Sequence, residues 1–268
     1  MKPAATACAC EDEEMIYILG GNGFVGSGFV RLFQSLGLEH QVLTRANYQE
    51  FVGSSCEVFI NANGSSSKIL ANREPLTDFE ANVRTTRASL EDFKTGLYIH
   101  LSSCDVYSDC SGPLTTREDE PIEFSRQSPY GFHKLLAEYC VQHACKNWLI
   151  IRQGGFVGPG LKKNAIFDIL NGGPLWLDPE SELQFLHTDD SARLIWSLYK
   201  QGVANTVLNV CGQGVVKLRE ALDSAGRDCP VQPDSRLVRY EVSIDKVSKY
   251  ITLPDSRTAV LHFISRMK

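Results

Sequence analysis

Apolar residues first gather in an unbroken run, Met15-Ile16-Tyr17-Ile18-Leu19, the pattern of a parallel strand buried on both faces. Glycines follow in Gly20-Gly21-Asn22-Gly23-Phe24-Val25-Gly26, and Phe29-Val30-Arg31-Leu32-Phe33 then repeats at helical spacing. Gln41-Val42-Leu43, Val58-Phe59-Ile60, Leu97–Leu101 and Trp148–Ile151 read as further strands, with helical periodicity over 79–93 and 130–145. Only about fifteen residues separate the second strand from Val58, so that crossover is short. The alternation predicts an α/β fold, a doubly wound parallel sheet of the Rossmann type. From Gly158 the pattern loosens into Gly, Pro and short apolar clusters, interrupted by Asp189–Leu198, which is expected to pack back on the sheet.

A strand, a glycine turn and a helix N-terminus in succession make a pyrophosphate site. Glycines let backbone N–H groups approach the anion, and the helix dipole favours negative charge there. The spacing is Gly-x-x-Gly-x-x-Gly at Gly20, Gly23 and Gly26, rather than the commoner Gly-x-Gly-x-x-Gly. This assigns 15–157 to a dinucleotide-binding domain, completed by about 187–211. A small C-terminal α/β lobe for substrate takes 158–186 and 212–268. Strand 2 ends Leu43-Thr44-Arg45-Ala46-Asn47 with no acid at its tip. An Asp or Glu there binds the ribose 2′-hydroxyl of NAD, whereas Arg accommodates a 2′-phosphate. Arg45 offers a planar fork and Thr44 a hydroxyl, so NADP is the expected cofactor and NAD the alternative.

A second constellation lies at Ser128-Pro129-Tyr130-Gly131-Phe132-His133-Lys134. Ser128 suits a helix N-cap and Pro129 the first helical position. Tyr130 and Lys134 then share a face, and a cation beside a phenol lowers its pKa toward the working range. The pair alone also arises by chance on amphipathic helices.

Composition permits an enzyme of this kind. The 268 residues are 43% hydrophobic, and the net charge of −5, which includes Glu11-Asp12-Glu13-Glu14, leaves no basic footprint for nucleic acid. Nine cysteines without paired Cys-x-x-Cys spacing fit reduced thiols in the cytoplasm, and Cys8 and Cys10 lack nearby His partners for a metal site. No apolar run is long enough to span a bilayer, and residues 1–14, without a signal-peptide core, read as a disordered tail.

Taken in order, the motifs resemble the extended short-chain dehydrogenases/reductases, the NAD-dependent epimerase/dehydratases, from about Met15 to the C-terminus. The resemblance rests on the glycine loop, Asn61-Ala62-Asn63-Gly64, Leu101-Ser102-Ser103-Cys104-Asp105-Val106-Tyr107, and Tyr130 with Lys134. Ile151-Arg152-Gln153-Gly154-Gly155-Phe156-Val157-Gly158-Pro159-Gly160 and Phe185-Leu186-His187-Thr188-Asp189-Asp190 complete it. It implies that Ser103 polarises the substrate oxygen, Tyr130 exchanges the proton, and Lys134 binds the nicotinamide ribose and lowers the pKa of Tyr130. It also implies cofactor contacts from Gly20, Gly23, Phe24, Val25, Gly26, Asn61, Ala62, Asn63, Asn82, Ser102 and Phe156, although these asparagines serve equally well as structural caps.

The reaction subtype turns on Cys104 and Asp105. In the family's dehydratases an acid pair follows the hydroxyl residue; here Cys104 takes the first acid's place, read as a buried inert thiol. Asp105 as a base would allow epimerisation or elimination. Simple keto reduction needs neither residue, and NADPH suits it. Nucleotide-sugar enzymes of the family often carry Asn where Gly155 stands, which puts that substrate in doubt. Lys162, Lys163 and Asn164 are candidate diphosphate partners or a solvated loop, and Trp176 is expected in the lobe core, with stacking on a base as the alternative. His187 is expected to cap the helix at Asp189-Asp190, with no metal. Relatives dimerise through the helices at 79–93 and 130–145, where Leu135, Leu136 and Tyr139 serve either that face or the core. The preferred expectation is a reductase of a keto-sugar nucleotide or similar small carbonyl. A nucleotide-sugar epimerase or dehydratase with tightly held NAD(P) is the alternative, and a non-catalytic dinucleotide-binding protein the third reading.

Overall fold

Ile16–Leu19 forms β1, its four residues all buried as the unbroken apolar run requires. In the computed structural model, which describes residues 15–267, the strands that follow are His40–Leu43 (β2), Ser55–Asn61 (β3), Lys94–Ser103 (β4) and Trp148–Gln153 (β5). Then come Gly155–Val157 (β6), Leu175–Leu177 (β7), Glu182–Leu183 (β8), Phe185–His187 (β9), Thr206–Asn209 (β10), Val216–Lys217 (β11), Val231–Arg236 (β12) and Arg239–Tyr240 (β13). The helices are Gly26–Leu36 (α1), Lys68–Arg73 (α2), Pro75–Phe79 (α3), Thr85–Asp92 (α4), Pro129–Ala144 (α5), Ala165–Asn171 (α6), Thr188–Lys200 (α7), Leu218–Ala225 (α8) and Ser256–Arg266 (α9). The expected tail, with Cys8, Cys10 and the acidic run at 11–14, lies outside the described residues.

Six strands make one parallel sheet in the order β10-β5-β4-β3-β1-β2. The chain leaves β1 toward β2 and then crosses back to β3, so the C-terminal ends of β1 and β3 flank a topological switch point, where such sheets bind ligands. The short crossover between β2 and β3 holds only a 3₁₀ turn, Tyr48–Phe51. On one face Ile18, Ile60, Ile99 and Ile151 pack against Phe29 and Phe33 of α1 and Ile195 and Trp196 of α7. The Phe33 and Trp196 rings lie 4.8 Å apart, so the segment from Asp189 does return to the sheet. On the other face Tyr17, Phe59, Tyr98 and Ile150 pack with Phe93 and Val141. A separate core joins Val157, Ile166, Phe185, Leu218 and Phe263.

Two expectations need correction. The helix expected over 79–93 is composite: Pro75 starts α3, a π-helical turn spans Glu80–Arg84, and α4 follows. Hydroxyls of Thr85 and Thr86 donate to the carbonyls of Glu80 and Asn82 around that turn. Trp176, expected in the lobe core, is 62% exposed. Strand alternation in β7 buries Leu175 and turns Trp176 outward. Among the described residues no helix is long and apolar enough to cross a membrane.

Candidate active site

The glycine loop sits at the C-terminal end of β1. Gly20 has φ +84°, and a Cβ there would lie 2.8 Å from the backbone of Ala62 and Asn63. At Gly26 a Cβ would meet the Gly20 carbonyl oxygen at 2.2 Å, while the Gly23 N–H donates to that same oxygen at 2.9 Å. A turn this tight excludes side chains and brings backbone N–H groups to the N-terminus of α1, whose N-cap, Val25, offers no side-chain hydrogen bond. The cradle therefore fits a pyrophosphate.

Ser128 caps α5, accepting from the Gly131 N–H at 3.1 Å, with Pro129 in the first turn as its sequence predicts. Gly131 is required because a Cβ would fall 2.0 Å from the Asp105 carbonyl oxygen, and this close approach brings Tyr130 to the end of β4. Tyr130 stands beside the Ser103 hydroxyl. Burial pushes the phenol well above its ordinary range, the Asp105 charge adds to this, and the Ser103 hydroxyl opposes it. Burial dominates, and the phenol is held in its protonated form. The Lys134 ammonium stands 6.0 Å from the Tyr130 ring centroid and is itself brought down to about 8 by burial, against the opposing charges of Asp78 and Glu138.

Asp105 follows in a 3₁₀ turn capped by the Ser103 hydroxyl, which accepts from the Asp105 N–H at 3.1 Å. Its Oδ1 pairs with Lys68 Nζ at 2.7 Å and accepts from the Tyr240 hydroxyl at 3.4 Å, while Oδ2 accepts from Ser103 at 3.4 Å. Lys68 and Tyr240 were not singled out by sequence; their partner is 37 and 135 positions away, and no local signal marks them. Cys104 is fully buried, its sulfur 3.6 Å from that of Cys211, and burial raises its thiol well above the ordinary range. It is the inert thiol expected.

The remaining predicted cofactor residues divide. Ala62 and Asn63 line the glycine turn through their backbones. The Asn61 side chain is spent inside the protein, donating to Thr86 and Tyr98 and accepting from the Asn63 N–H. Ser102 is likewise buried, donating to Glu138, which Arg152 pairs at 2.7 Å. Asn82, in the π-helical turn, has a buried Oδ1 without a partner among the described residues. A Cβ on Gly64 would meet that oxygen at 2.4 Å and Lys134 Nζ at 3.1 Å, so Gly64, Asn82 and Lys134 converge. Phe24 and Phe156 meet edge to face at 6.4 Å. The Thr44 hydroxyl donates to Asn47, leaving the exposed Arg45 as the open group at the tip of β2.

Around the substrate side, Gly155 is fixed by packing. A Cβ would approach the Gln184 carbonyl at 2.8 Å and the Phe185 ring at 2.9 Å, because β6 pairs with β9 there. Asn164 caps α6, and Lys163 donates to the Ser66 carbonyl at 2.6 Å. His187 caps α7, accepting from the Asp189 N–H at 3.2 Å, as expected. Leu135 is buried in the core, whereas Tyr139 is 51% exposed.

Residues 16–211 match the family model described as the NAD dependent epimerase/dehydratase family. No curated protein matches the chain significantly. Solved structures match over nearly the whole chain. A dTDP-4-dehydrorhamnose reductase of Clostridium acetobutylicum aligns at TM-score 0.78 and 15% identity, covering 94% of this chain and 99% of that one. The UDP-glucuronic acid 4-epimerase of Bacillus cereus, solved with a fluorinated UDP-sugar and NAD, aligns at TM-score 0.74 and 18% identity over 95% and 100%. RMD of Pseudomonas aeruginosa, complexed with NADPH, aligns at TM-score 0.74 and 20% identity over 94% and 99%.

Proposed function

The chain belongs to the NAD dependent epimerase/dehydratase family, and on that premise we propose that it is an NADP-dependent reductase of a carbonyl, a keto group of a nucleotide sugar or similar small molecule. The state of Asp105 carries this reading. Lys68 pairs with one oxygen at 2.7 Å, with Tyr240 on the same oxygen and Ser103 on the other, and a cation so placed weakens the carboxylate as a base toward carbon. Ser103 and a neutral Tyr130 remain as the acid pair.

A bound nicotinamide dinucleotide supplies the hydride. The Ser103 hydroxyl orients the carbonyl oxygen, and Tyr130 gives its proton to that oxygen as negative charge develops. Lys134, its ammonium beside Asn82 and Gly64, holds the ribose and steadies the phenolate that Tyr130 becomes. The backbone of Gly20–Gly26 holds the pyrophosphate, and Arg45 the 2′-phosphate. The lobe around Val157, Phe185 and Phe263 receives the substrate. Nucleotide sugars enter as a class because neighbours of the fold are named for them. The setting is the cytoplasm and the assembly a homodimer through α4 and α5.

One observation favours epimerisation or dehydration: Asp105 lies beside the Ser103 hydroxyl, and loss of Lys68 from its Oδ1 would leave it a base. The test is NADPH consumption by the purified chain over a panel of keto nucleotide sugars. Oxidation with one of them supports reduction, and product formation without net oxidation opposes it.

A further inference from the structure

Buried side-chain atoms without hydrogen-bond partners concentrate around one ammonium. Among the described residues they include Asp78 Oδ1, Asn82 Oδ1 and both ring nitrogens of His100. Asn82 converges with Lys134 at Gly64. His100, in β4, is depressed to about 3 by burial first and by the Lys134 charge second. Asp78 is wholly buried, its Oδ2 only 2.8 Å from His133 Nδ1 and its backbone carbonyl accepting from Asn82. His133 is the residue immediately before Lys134 on α5, so α3 and α5 meet through this pair.

Lys134 is faced by Asp78 from the α3 side, by His100 from β4, and by Tyr130 and Glu138 from its own helix. Glu138 is already claimed by Arg152 and Ser102. Asp78 therefore carries the nearby carboxylate that has one oxygen on the His133 ring and the other without a partner among the described residues. We propose that Asp78, held by His133, is a positioning residue for Lys134: its buried carboxylate supplies the charge that keeps the ammonium protonated and directed at Tyr130. A buried cation without such a counter-charge gives up its proton. The pair's contribution to turnover rests on the reductase reading; its effect on Lys134 does not.

The test is an NMR titration of isotope-labelled lysine side chains in the full chain, with the Lys134 signal identified by its loss in Lys134→Met. Asp78→Asn, nearly isosteric and uncharged, lowers the Lys134 midpoint from about 8 by about one unit or more, the scale of a lost opposite charge. His133→Phe removes the side chain that holds the Asp78 carboxylate in place and produces a fall of the same sign. His133→Gln keeps a donor and leaves the midpoint in place. If Asp78→Asn does not fold, His133→Phe decides. An unmoved Lys134 midpoint in the folded variants, with only a lower melting temperature, overturns the proposal. A midpoint that falls while the alkaline limb of NADPH turnover stays put upholds it, and counts instead against the role of Lys134 in the reductase.

Discussion

Tyr130 and Lys134 are matched through burial rather than through direct contact. Desolvation raises the phenol and lowers the ammonium, so each is drawn toward its neutral form. That favours an acid donating to an oxygen that becomes negative as hydride arrives. Tyr130→Phe should therefore cut turnover at least ~10²-fold, the scale of a lost general acid, with NADPH affinity little changed. A comparable loss of NADPH binding would make Tyr130 structural. Lys134 carries a second consequence. Its value of about 8 lies below the ordinary 10.5, so between those pH values the unfolded chain holds more protons and stability rises with pH. At neutral pH the charged lysine costs up to about 3 kcal/mol. Lys134→Met should be more stable than the parent near pH 7, and the gap should close between about pH 8 and 10.5 in urea unfolding. A gap that stays constant across that window contradicts this account of its burial.

Elements were legible where their signals are local. Ser128, Pro129 and the apolar spacing of α5 lie within a few residues of one another, so the helix that carries Tyr130 could be read directly. The glycine loop was legible for the same reason. The composite α3–π–α4 segment was not, since periodicity over 79–93 does not register a proline start at Pro75 or an extra residue in a turn. Gly155 was read as a missing amide, but its cause is packing between β6 and β9, which only the strand register reveals. Gly155→Asn should thus lower stability by about 1–3 kcal/mol, the usual cost of overpacking, without raising affinity for a nucleotide sugar. Unchanged stability with a gain of substrate affinity would reverse this view.

At the scale of the molecule, alternating strands and helices announced the doubly wound sheet, and its order places the glycine loop at the switch point. What periodicity cannot hold is which distant residues meet. Lys68 with Asp105, and Asp78 with His133, are joined only once the sheet is assembled, and they set the charge of the site. The outward face of α5 carries Phe132 and Tyr139, 37% and 51% exposed, whereas Leu135 belongs to the core. In the proposed homodimer Tyr139→Glu should shift sedimentation from dimer to monomer with the fold intact; a parent chain that sediments as a monomer removes the dimer. The central claim, hydride reduction with Asp105 held idle, is tested most directly by isotope transfer. With NADPH deuterated at the transferable position and a keto nucleotide sugar, the account predicts deuterium at the carbonyl carbon, matched by net NADPH loss and no solvent label at the adjacent carbon. Solvent deuterium entering the carbon α to the carbonyl, without net loss of NADPH, would contradict it.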